Sequence, residues 1–133
     1  TRLSIAAYAV LCASIYLGTI VTGAGPHAGD SGALRNGLDP ALWSKIHAWS
    51  VWLFIAMMLV LLWRLRAHPA RGRALAVLIL SLAQGGIGYA QYFTGLPISL
   101  VILHLAGATI LLIAATWFLA ATAKSNTDSA RES

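Results

Sequence analysis

Of the four histidines in the chain, His47 and His104 sit where an imidazole is costly. His27 and His68 fall in polar connecting stretches, where a histidine is ordinarily a solvated side chain. His47 and His104 lie inside long apolar runs, four residues beyond Trp43 and six beyond Ile98. At 1.5 Å per helical residue, both are roughly 6–9 Å in from the same end of the molecule. An ionisable side chain at that depth faces a bundle interior and has a partner there. Two imidazoles level with each other can close the two axial positions of a haem iron, whose macrocycle supplies the four equatorial nitrogens. A zinc ion would want three or four protein ligands, and no Cys, Asp or Glu stands at that depth. The plain alternative is that both histidines only hydrogen-bond across helices.

A macrocycle needs room as well as ligands. Gly18 and Gly88 lie in the same layer, roughly 6–8 Å from the ends of their runs, and are expected to leave space for the porphyrin edges. Gly85, Gly86 and Gly107 are further small positions. Gly86 and Ala90 also form a small-xxx-small pattern that serves close helix packing in membranes. Ser81, Gln84, Gly88 and Gln91 recur at spacings of three and four, so one stripe of their helix is polar or small and is expected to face inward. Gln91 could bond a haem propionate or a loop carbonyl.

The elements that position these residues follow from composition. Of 133 residues, 59% are apolar and 10% charged, against about 25% charged in soluble domains. The charges are confined to short connections, leaving four runs long enough to span a membrane: 3–22, 43–63, 74–93 and 98–123. The expected fold is all-α, an integral membrane four-helix bundle running up-down-up-down over 1–123, with an outer loop at 23–42 and a disordered polar tail at 124–133. Residues 94–97 are too few to do more than join antiparallel neighbours, and in a ring of four the second and fourth helices are diagonal and parallel. That places His47 opposite His104. Arg64, Arg66, Arg71 and Arg73 crowd the connection after the second run, which marks a cytoplasmic loop and puts both termini in the cytoplasm. The net charge of +5 is thus a topology signal, and no soluble basic face exists to bind nucleic acid. Cys12 is expected to be a small buried residue. No internal repeat is visible in the sequence.

Two segments carry a family resemblance. Gly18-Thr19-Ile20-Val21-Thr22-Gly23-Ala24-Gly25-Pro26-His27-Ala28-Gly29-Asp30 resembles the GTxVTGxGPHxGD segment of bacterial haem A synthases. Ala83-Gln84-Gly85-Gly86-Ile87-Gly88-Tyr89-Ala90-Gln91-Tyr92-Phe93-Thr94-Gly95-Leu96-Pro97 resembles their AQGxIGYxQYFTGLP segment, with Leu103-His104 following in place. The similarity extends over the whole chain except the tail.

The resemblance implies an enzyme of the bacterial plasma membrane that oxidises the C8 methyl of haem O to the formyl of haem A, for use in cytochrome oxidase. It implies eight helices in two similar halves, of which this chain resembles the C-terminal one, holding a haem b cofactor on His47 and His104. The N-terminal half of that family carries a glutamate three residues before its first histidine. Here that position is Ser44, and no acidic residue lies in any span. This half alone is therefore not expected to be catalytic. Its expected partners are membrane lipid, haem, the N-terminal catalytic half or an equivalent four-helix subunit, and haem O synthase. A stand-alone bis-histidine membrane cytochrome b, passing electrons only, is the alternative, and a cofactor-free membrane anchor is a third reading.

Overall fold

Long apolar runs broken by short polar stretches give four helices: α1 (Arg2–Ala24), α2 (Pro40–Arg64), α3 (Arg71–Phe93) and α4 (Ile98–Arg131). The computed structural model describes residues 2–25 and 34–131, and no strand occurs among them. Each expected span lies within its helix. α2 begins before Trp43 because Asp39 caps it: its carboxylate accepts from the Ala41 N–H at 2.9 Å, and Pro40 presets the backbone of the first turn. α4 runs on to Arg131, which differs from the disordered tail expected over 124–133. No glycine or proline follows Gly107 to stop it.

The connections are stapled by local hydrogen bonds. Between α3 and α4, Gly95 takes a positive φ of 78° and the Leu96 N–H returns to the Gln91 carbonyl at 2.8 Å, the six-to-one bond of a Schellman end. His68, in the turn between α2 and α3, accepts from the Ala70 N–H on its Nδ1 at 3.0 Å and so shapes the turn. At the opposite end, Asn36 donates from its amide to the Ile20 carbonyl at 2.9 Å, and its backbone N–H reaches Gly23 at 3.1 Å. The outer loop is thereby tied to the free carbonyls at the end of α1.

Each helix packs on its two chain neighbours around a ring, α1 against α4 closing it, and the backbones of the diagonal pairs stay apart. The two hairpins, α1–α2 and α3–α4, pack most extensively within themselves, and the seam between them is looser. The sealed core is confined to one half of the bundle. Ala7, Leu11, Phe54, Met58, Leu61, Ala74, Val77, Leu111, Ala115 and Phe118 fill it, all toward the end that holds the α2–α3 turn. In the other half, no residue of 40–53, 82–93 or 98–110 is fully buried, and α1 buries Ser14 and Ala24 there.

The outside is apolar. Ile5, Trp49, Leu59, Ile79, Ile113 and Trp117 are all exposed, and every helix is long and apolar enough to cross a membrane. A water-soluble monomer rarely carries such continuous apolar surface. The chain is a multi-pass membrane protein, and large apolar side chains cover the outside of its helices. Cys12 lies on the exposed side of α1 instead of buried.

Candidate functional site

His47, on α2, leans on α1. Its Nδ1–H donates to the Ser14 carbonyl at 2.9 Å. A carbonyl only accepts, so this bond fixes the proton on Nδ1 and leaves Nε2 with a bare lone pair. Gly18, one turn beyond Ser14, lies against the same ring, and a Cβ there would stand 3.3 Å from Cε1. Ser14 Oγ donates to Ser50 Oγ at 2.8 Å, and Ser50 Oγ donates to the His47 carbonyl at 2.6 Å. These bonds clasp the first hairpin at the level of the imidazole.

The second hairpin repeats the arrangement with other residues. Gly88 of α3 lies against the His104 ring, and a Cβ there would again be 3.3 Å from Cε1. Gln84 precedes Gly88 by one turn, as Ser14 precedes Gly18, and its backbone faces His104. That contact falls outside hydrogen-bond geometry, and His104 Nδ1 is buried without a partner. Three residues after His47 stands Ser50, and three after His104 stands Gly107, where a Cβ would collide with the Gln84 side-chain amide. The Ser14–Ser50 pair of one hairpin thus corresponds to the Gln84–Gly107 pair of the other. One uses two short hydroxyls, the other a long amide laid over bare backbone.

The two imidazoles meet across the diagonal, as expected. Their ring centroids are 6.5 Å apart with planes at 88°, and no hydrogen bond joins them. With metal–imidazole bonds of about 2.0–2.1 Å, two imidazoles on opposite sides of one metal have centroids roughly 6 Å apart. Bonding across helices therefore accounts for Nδ1 of His47, while the two rings themselves meet in a T-shaped contact. Among the described residues no three of His, Cys, Asp and Glu cluster, so the protein offers a metal two nitrogens here and no further ligand of these types.

Three further observations fit a macrocycle that brings its own equatorial ligands. Oε1 of Gln84 and Oε1 of Gln91 are buried without hydrogen-bond partners, a costly condition that a bound group or ordered water ordinarily relieves. At the depth of the rings the residues other than Ser14 are only partly buried, whereas those below form the sealed core. Gly18 and Gly88 each lie directly against the Cε1 edge of an imidazole, in the layer where the sequence placed them.

The remaining sequence candidates are distributed as follows. Ser81 is buried, and Gln84, Gly88 and Gln91 are half-buried, so the inward stripe of α3 is real. Gly85 and Gly86 meet nothing within 4 Å of a Cβ position, so neither packs closely against a neighbour. His68 serves its turn, and His27 lies outside the described residues. Ser14 and Ser50 were not anticipated as site residues. Their only sequence signals are the shared spacings, four from Ser14 to Gly18 and Gln84 to Gly88, three from His47 to Ser50 and His104 to Gly107. Comparison of the chain with family models, with curated proteins and with solved structures finds no match.

Proposed function

We propose that the chain is the haem b-binding, electron-transfer half of a haem A synthase in the bacterial plasma membrane, with both termini cytoplasmic. The observation that carries this reading is the facing pair His47 and His104, 6.5 Å apart at matched depth in a membrane bundle. When bound, the haem iron supplies one-electron redox chemistry. The chain's own part is to hold two imidazoles in place and keep their edges clear with Gly18 and Gly88. The segments resembling haem A synthases carry Gly18 on one side and Gln84, Gly88 and Gln91 on the other, the residues that line this site. The oxidation of the haem O methyl to a formyl belongs, in this reading, to a partner half or subunit that supplies a carboxylate. The spans of this chain contain no acidic residue, which also favours the second reading, a stand-alone membrane cytochrome b.

The test is a pyridine haemochrome assay with electron paramagnetic resonance on the purified chain. The expected result is one haem b per chain, six-coordinate and low-spin. If the two imidazole planes kept their 88° angle on the iron, the ferric signal would be strongly anisotropic. Haem that is absent after reconstitution, or high-spin when bound, overturns the reading. Production of haem A on co-expression with a catalytic half separates the synthase from the stand-alone cytochrome.

A further inference from the structure

The two hairpins hold their imidazoles unequally. His47 is fixed by the 2.9 Å bond to the Ser14 carbonyl, and the Ser14–Ser50–His47 chain of hydroxyls locks the two helices around it. His104 has the glycine but not the bond: its Nδ1 is buried without a partner, and the Gln84 amide over Gly107 leaves its own Oε1 unpaired. A hydrogen bond from the far ring nitrogen orients a metal-bound histidine and strengthens it as a donor. A ring lacking that bond is held by packing against Gly88 alone. Resting on the haem reading above, we infer that His47 is the fixed axial ligand and His104 the exchangeable one. A small neutral ligand then enters the iron from the α3–α4 side.

Residue types support the asymmetry. The Ser14–Ser50 and Gln84–Gly107 pairs fill equivalent places, yet the serine pair delivers a hydroxyl to the backbone of its histidine, while the glutamine spends its length reaching Gly107. Exchange of the second pair for the first, Gln84→Ser with Gly107→Ser, should therefore transplant the clasp.

The experiment uses the haem-loaded chain in nanodiscs with carbon monoxide as the probe. His104→Ala should retain a five-coordinate haem that takes carbon monoxide at once. His47→Ala should lose haem about 10–100-fold more readily, the range that such supporting bonds contribute to metal-bound histidines. The Gln84→Ser/Gly107→Ser variant should take up carbon monoxide more slowly than the parent, by a similar factor. Equal haem loss from both alanine variants, the reverse order, or unchanged uptake in the double variant overturns the inference while leaving the haem reading intact. A parent that binds no haem removes both. Nitrogen-15 spectra of the histidine-labelled, haem-free chain test the asymmetry without any variant. His47 should be a single Nδ1–H tautomer and His104 a mixture, and a single tautomer at both positions refutes the inequality.

Discussion

Adding one carbon at Gly88 or Gly18 separates a haem site from a merely packed bundle. In either place the new Cβ would stand 3.3 Å from an imidazole Cε1, tighter than ordinary carbon contact, so the ring must retreat by a few tenths of an ångström. Cε1 is bonded to both ring nitrogens, and its retreat swings Nε2 by a comparable amount. Metal–ligand distances tolerate about ±0.2 Å, so the displacement falls on the bond to iron. Overpacking costs about 1–3 kcal/mol. Alanine sits at the low end, a roughly fivefold weaker haem affinity, and leucine at the high end, roughly 150-fold. The helix itself gains from the same change, since alanine is about 0.5–1 kcal/mol better than glycine in a helix interior. Gly18→Ala and Gly88→Ala should therefore lose haem affinity in an absorbance titration while the haem-free protein melts no lower than the parent. Gly85→Ala is the internal control, because nothing lies within 4 Å of its Cβ position. If Gly85→Ala and Gly88→Ala weaken haem binding alike, or neither does, the glycines do not serve the rings and the reasoning fails.

Tags at either terminus should be accessible only from the cytoplasmic side, because the arginine-rich turn between α2 and α3 shares its end of the bundle with both termini; a periplasmic tag would invert the orientation. Met58→Ala empties a fully buried site among Phe54, Val77 and Phe118 and should lower stability by about 2–5 kcal/mol while leaving the haem spectrum unchanged. A changed spin state in that variant would show that the sealed half and the histidine layer are not separable.

The parts that the sequence made legible are those governed by one-dimensional rules. Span length, charge placement and short connections dictate four helices in a ring, and the ring puts His47 across from His104. Depth along each helix identified Gly18 and Gly88 without their contacts. What could not be read is side-chain direction across a helix pair. Ser14 and Ser50 are ordinary small residues on different helices, and only folding brings their hydroxyls to 2.8 Å. The two hairpins are equivalent in space but share only histidine and glycine in type, with different loop lengths between, so their correspondence leaves no repeat in the sequence. Cys12 was misplaced for a related reason: in lipid an exposed position is as apolar as a buried one, so residue type does not reveal which way it faces.

The division of the bundle into a sealed half and an unsealed half sets the order in which the protein can be put together. Packing by Phe54, Met58, Val77, Leu111 and Phe118 involves apolar side chains alone, so on the proposed haem reading insertion and helix association would be complete before haem arrives. Loading would then ask only that the ends of the two hairpins near the histidines part along their looser seam while the core stays closed, as the arms of tweezers part without leaving the joint. Unloaded chains would in that case accumulate as folded, receptive intermediates that need not be degraded, and the step limiting maturation would be haem delivery.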